Sequence, residues 1–182
     1  MMRLKEKYNK QVIKGLQDKF GFKNVNQVPK ILKVVLNIGV GRNAKEAAFI
    51  DNAEKSLLRI AGQKPVRTKA KKSISAFKIR EGMIVGLKAT LRKDRMYDFL
   101  EKLINVSFPR IRDFRGISDK QVDRLGNLTI GFKEHIAFPE IRADEIENIH
   151  GLEICISTTA KNREEGLELF RQLGFPFKKD QN

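Results

Sequence analysis

Gly39, Gly41 and Ala44, in the stretch NIGVGRNA, have the G-x-G-x-x-A spacing of a dinucleotide-binding turn. Glycines placed this way let backbone N–H groups approach a pyrophosphate where a strand passes into a helix. The rest of that chemistry is missing. The next strand candidate, PVRTKA, has no acidic residue to hold a ribose hydroxyl, and the further parallel strands of such a fold do not follow. The plainer reading is a tight strand-to-helix turn, and a phosphate of RNA could meet the same backbone. Catalysis elsewhere finds less support. His135 and His150 are the only histidines, and neither has a partner at metal-ligand spacing; Glu134 beside His135 lacks the second histidine of a zinc motif. The single cysteine, Cys155, lies in the apolar run LEICIS and reads as a small buried or half-buried residue. It excludes an internal disulfide and fits a reducing cytoplasm. No enzyme activity, cofactor, metal centre or small-molecule substrate is expected.

A second constellation is electrostatic. GQKPVRTKAKKSISAFKIREGM, from Gly62 to Met83, holds seven basic residues between Lys64 and Arg80 and no acidic one. Lysine and arginine neutralise phosphates and release counterions, while Asn, Gln and Thr can hydrogen-bond sugar hydroxyls and base edges. Phe77, between Ser75 and Lys78, suits stacking on a base or ribose better than a place in a core. On its own the stretch could be an ordinary solvated loop. Its neighbours argue otherwise: the following strand adds Lys88, Thr90 and Arg92 on its outer face, and an earlier strand adds Lys33 and Asn37. No helix carries a row of base-reading side chains, so RNA recognised through shape and 2′-OH groups fits better than duplex DNA.

The elements that must position these residues follow from periodicity. Leu4, Tyr8, Val12, Leu16 and Phe20 recur every four residues and predict a helix ended by Gly21, with Lys5, Lys7, Lys10, Lys14 and Lys19 nearly unopposed on its other faces. Alternation over Ile31 to Ile38 sends Leu32, Val34, Leu36 and Ile38 inward, and Ile31, Lys33, Val35 and Asn37 outward. A helix from about Asn43 to Ala61 follows, capped by Gly62. Met83 to Arg92 alternates again, with Val85, Leu87, Ala89 and Leu91 inward. Asp94 to Val106 reads as a helix and SFPRIRDFRGISDKQVDRLG as a long ordered or partner-dependent loop. Strands are expected through Leu128 to Phe132 and Leu152 to Ile156. A last helix begins at Asn162, three residues before Glu165, and stops at Gly174. The irregular order predicts an α+β fold, an antiparallel sheet with helices packed on one face and the other face available for RNA.

Composition agrees. The 182 residues are 41% hydrophobic, enough for a single domain spanning 1–182. Lys and Arg number 37 against 22 Asp and Glu, a net charge of +15 that implies a polyanionic partner. The charge is uneven: the portion to about residue 115 is basic, while Glu134 to Glu168 has nine acidic and three basic residues. No apolar run is long enough to span a bilayer and the N-terminus has no signal-like apolar region, so no membrane partner is expected. Two rival classes remain: a dinucleotide-binding enzyme using Gly39, Gly41 and Ala44, and a membrane-surface protein using the basic helix from Leu4 to Phe20.

Several blocks carry a family resemblance: VVLNIGVG, the whole Gly62–Met83 stretch, TLRKDRMYDFL, FPRIRDFRG, FPEI and STTAKNREEGLELFRQLGFPF. In register over almost the whole chain, they resemble the bacterial large-subunit ribosomal protein number five family. The resemblance implies a protein of the cytoplasmic ribosome that attaches 5S rRNA to the large subunit, touches 23S rRNA, approaches the P-site tRNA through an extended loop, and meets a small-subunit protein across an intersubunit bridge. By position, Asn37, Gln63 and Thr90 match the family's polar 5S rRNA contacts, with Lys33, Lys64, Thr68, Lys88 and Arg92 around them. The loop from about Lys71 to Glu81 matches the tRNA-facing one, with Lys71, Lys72, Ser73, Ser75, Phe77, Lys78 and Arg80. The bridge is expected from Pro109 to Arg115, with Arg110, Arg112 and Arg115, and from Glu134 to Asn148, with Glu134, Glu140 and Asp144; an acidic patch there suits a basic partner. One departure stands out. Where the family usually reads close to S-F-D-G-R-G-N, this chain has Gln121-Val122-Asp123-Arg124-Leu125-Gly126-Asn127, which puts the backbone of that loop in question.

Overall fold

Leu4, Tyr8, Val12 and Leu16 are all buried, so the four-residue spacing does define one apolar face. The helix they build runs as α1 (Leu4–Lys7), a π-helical turn (Tyr8–Val12) and α2 (Ile13–Phe20), and ends where Gly21 takes φ +71° and donates to the Gln17 carbonyl at 2.8 Å. A left-handed residue costs glycine little and would strain any other. The computed structural model describes residues 3–44, 46–141 and 149–178. Among the described residues α3 (Ala47–Ala61), α4 (Lys93–Lys102), α5 (Phe108–Arg110) and α6 (Arg163–Leu173) follow. The strands are β1 (Ile31–Gly39), β2 (Val66–Lys69), β3 (Ile84–Leu91), β4 (Leu128–Phe132) and β5 (Leu152–Thr158). They form one antiparallel five-stranded sheet in the order β2-β3-β1-β5-β4, with helices packed on it, and the fold is α+β. No helix among the described residues is long and apolar enough to cross a membrane.

The chain divides into two compact units, one of Met1–Val34, Leu91–Ile130 and Cys155–Asn182, the other of Val35–Thr90 and Gly131–Ile154. In the first, the N-terminal helix is held by named contacts. Lys5 pairs with Asp94 at 2.5 Å, Lys7 donates to the Leu173 carbonyl at 3.1 Å, and Lys19 pairs with Glu168 at 2.6 Å. Three of the lysines expected to stand unopposed are therefore engaged within the protein. The long stretch after α4 is ordered by an aromatic cluster: Phe108 stacks on Phe114 at 5.1 Å and meets Phe175 edge-on, which in turn meets Phe170. α6 begins as its sequence predicts, with the Asn162 side chain accepting from the Glu165 N–H at 2.9 Å. Glu165, only 8% exposed, returns the favour by accepting from the Lys161 N–H, so this acid belongs to a cap and not to an open acidic face.

The altered loop closes without glycine at position 124. The Asp123 carboxylate accepts from the N–H groups of Leu125 and Asn127 and from the Asn127 side chain, at 2.8–2.9 Å. Burial pushes that carboxyl up, but these hydrogen bonds outweigh it and hold it below the usual range. Neither Arg124 nor Leu125 adopts a left-handed backbone; Gly126 does, at φ +74°, and there is no room for a Cβ between it and Ala160. The substitutions fall where the backbone tolerates them.

In the second unit, α3 buries Ile50, Ala53, Leu57 and Ile60, a helical stripe worth roughly 1.5–3 kcal/mol for each fully buried large side chain. It starts later than its sequence suggests, because Gly41–Asn43 form a separate 3-10 turn. Gly62 ends it at φ +66°. The strand alternation holds from Val34 onward. Before it the phase differs: Ile31 is buried at 5% exposure while Leu32 stands 44% exposed, the reverse of what strict alternation predicts at that strand end.

Candidate nucleic-acid interface

Pairing register decides which β2 and β3 residues share a face. Val66 lies opposite Lys88, Arg67 opposite Leu87 and Thr68 opposite Gly86. Leu87 is fully buried, so Arg67 points to the covered side, where its guanidinium meets Asp51 and Glu54 of α3 at 2.5–2.8 Å. One of the seven cations of the basic stretch is thus engaged in an intramolecular ion pair, and its pKa is raised chiefly by the Glu54 hydrogen bond. The opposite face carries Thr68, Gly86, Lys88 and Thr90, the last three at successive steps of roughly 7 Å along β3.

Gly86 matters to that face because a Cβ there would sit 2.8 Å from Thr68 Oγ1 and 3.2 Å from the Ile38 carbonyl. Its absence lets Thr68 and Asn37 converge over β3. Asn37 is half-buried, and its Nδ2 donates to Glu153 Oε2 of β5 at 3.2 Å, leaving the amide oxygen to accept from a ligand. At the other end of β3, Gln63 Nε2 donates to the Thr90 carbonyl at 2.9 Å, which fixes the side chain just after α3 and beside the exposed Lys64. Asn37, Thr68, Lys88 and Thr90 therefore share one face of this unit, with Gln63 held at the end of β3. Lys33 and Arg92, half-buried and exposed, belong to the other unit.

The connection from β2 to β3 extends this surface. Ala70 donates to the Met83 carbonyl and Gly82 to the Ala70 carbonyl, closing its base; Ile74 and Ile79 exchange two backbone hydrogen bonds nearer the tip. Ser73 Oγ accepts from the Glu81 N–H at 2.9 Å. Between the isoleucines, Ser75–Phe77 make a 3-10 turn and Lys78 takes φ +54°. Lys71, Lys72, Ser73, Ser75, Phe77, Lys78 and Arg80 are all exposed, Phe77 at 70%. Six cations from Lys64 to Arg80, without Arg67, make no ion pair among the described residues.

The residues expected at the bridge fall in both units. Arg110, Arg112 and Arg115 are exposed in the first unit, Glu134 is exposed and Glu140 half-buried in the second, and Asp144 lies outside the described residues. The sequence did not reveal a pair of stacked histidines fifteen residues apart. The rings of His135 and His150 lie 3.8 Å apart and 3° from parallel, and His135 Nδ1 accepts from the His150 N–H at 3.3 Å. Burial is the main cause that lowers both pKa values, that of His150 to about 4. Among the described residues no cluster of three or more potential ligands exists to make this a metal site.

Comparisons with known proteins identify the family. Residues 24–80 match the family described as "Ribosomal protein L5", and residues 84–177 match the C-terminal part of the same ribosomal family. A protein named "Large ribosomal subunit protein uL5" from Desulforapulum autotrophicum is 55% identical over 98% of this chain and 99% of its own length. Proteins of the same name from Moorella thermoacetica and Brevibacillus brevis are 52% and 53% identical, over 98% and 97% of this chain and 99% and 98% of theirs. These names refer to a place in the ribosome and not to a reaction. With both halves of the chain matched and relatives this similar end to end, the chain belongs to the large ribosomal subunit protein uL5 family.

Proposed function

We propose that the open face of β3 and its neighbours binds 5S rRNA and attaches it to 23S rRNA in the large subunit of the cytoplasmic ribosome. The observation that carries this reading is the convergence of Asn37, Thr68, Lys88, Thr90 and Gln63 on one surface, opposite the side where Arg67 meets α3. Lysines there bind phosphates; the amides and hydroxyls, held by internal hydrogen bonds, meet ribose 2′-OH groups and base edges. The exposed β2–β3 loop, with Phe77 near its tip, reaches the P-site tRNA. Arg110, Arg112 and Arg115, with Glu134 and Glu140, meet a small-subunit protein across the subunit interface.

The test is binding of purified protein to 5S rRNA and to a control RNA of equal length. The expected result is a clear preference for 5S rRNA. Asn37→Ala, Gln63→Ala and Thr90→Ala each weaken it by about 1–3 kcal/mol, the penalty for a buried polar group left unpaired. Unchanged preference in all three variants removes these residues from the site.

A further inference from the structure

The glycine turn that resembles a dinucleotide motif borders a cavity of about 670 Å³, lined in part by Gly39, Gly41, Asn43, Phe49, Phe77 and His150. In a chain of 37 lysines and arginines, none of the ten described residues that line it carries a charged side chain, apart from a histidine that burial keeps neutral near pH 7. A wall whose described side chains are uncharged suits a flat, neutral ring better than a phosphate. The wall is bare: a Cβ at Gly39 would meet nothing within 4 Å, and one at Gly41 only Ile79 Cδ1 at 3.9 Å, so a ring could lie against the backbone. Phe77 stands at the mouth with 70% of its surface exposed, an orientation that gains nothing until another surface covers the ring. The polar groups are acceptors. Asn43 Nδ2 donates to Glu46 at 3.4 Å and leaves Oδ1 open; His150 Nδ1 faces the Gly151 carbonyl, and Nε2 is buried without a partner.

We propose that this cavity receives one unstacked nucleobase of RNA, stacked on Phe77 beside the Gly39–Gly41 backbone, with an exocyclic amino group turned to Asn43. Lys78 and Arg80, on the same loop as Phe77, take the phosphates on either side. The proposal rests on the RNA-binding reading above, and the base comes from rRNA or from tRNA.

The chain has no tryptophan, so Phe77→Trp makes a single fluorescent reporter at an exposed position. Its emission is followed while 5S rRNA, a 23S rRNA transcript, tRNA and poly(U) are added separately, and filter retention in the same samples reports binding. The expected result is strong quenching by one of the first three, which names the source, and little by poly(U). Phe77→Ala weakens binding of that RNA about 5- to 150-fold, the equivalent of one stacked base at roughly 1–3 kcal/mol. Gly41→Val, which fills the cavity at a position free of left-handed backbone, abolishes the quenching. Retention without quenching by any RNA overturns the cavity proposal alone, as does quenching that survives Gly41→Val or is matched by poly(U). Quenching by 23S rRNA or tRNA without retention of 5S rRNA supports the cavity and overturns the 5S reading.

Discussion

Burial lowers the pKa of His150 to about 4, and the parallel ring of His135 adds to the cost of a positive charge there. The unfolded chain takes up this proton near pH 6.5, the folded one only near 4. Protons therefore favour the unfolded chain between those values, and the stability held above pH 6.5 is lost as pH falls toward 4. The loss from this residue is at most about 3 kcal/mol, from 1.36 kcal/mol per pKa unit. Urea denaturation at pH 7.5 and pH 5 should show a smaller drop for His150→Phe than for the unaltered protein. An equal drop in both would clear the imidazole of responsibility. The same scale explains Arg67. Its charge reads as part of an RNA-binding run, yet the register of β2 turns it to two carboxylates of α3, and only the pairing partner decides that.

At the scale of elements, the β2–β3 connection has little internal support among the described residues. Its tip rests on one pair of backbone hydrogen bonds between Ile74 and Ile79, and no buried hydrophobic residue lies between Val66 and Val85. Such segments open locally at little cost. Limited trypsin digestion of the free protein should cut first between Lys69 and Arg80, and bound RNA should slow those cuts. A loop as resistant as α3 would contradict this. α6 shows the opposite case. Its capping residues, buried stripe and glycine stop all agree, so local signals were enough to place it.

For the whole molecule, a net charge of +15 draws in any polyanion, and that attraction weakens as salt rises, because each counterion released into a more concentrated solution gains less entropy. A slope of log affinity against log salt near −0.7 to −0.9 per phosphate contact is expected for 5S rRNA and control RNA alike. If the proposed site is right, the preference for 5S rRNA survives, because that reading rests it on Asn37, Gln63 and Thr90 and not on charge. If both RNAs are lost together as salt rises, the surface is a generic polyanion binder.

From its sequence alone, this protein could be read as basic and α+β, with an antiparallel sheet whose outward face carries Asn37, Lys88 and Thr90. Two-residue alternation and four-residue recurrence are local properties, readable from the spacing of apolar residues along the chain. Its family was legible too, in blocks such as GQKPVRTKAKKSISAFKIREGM. Long-range placement was not legible. Ile31 and Leu32 exchange roles at a strand end where packing overrides alternation. Lys5, Lys7 and Lys19 find partners 89 to 166 residues away. His135 meets His150, and a glycine turn that looked like a nucleotide motif becomes part of the wall of a cavity beside an exposed Phe77. Each of these depends on which distant segment arrives at a given surface. That is a property of the folded chain, set by strand register and helix packing, and no local pattern encodes it.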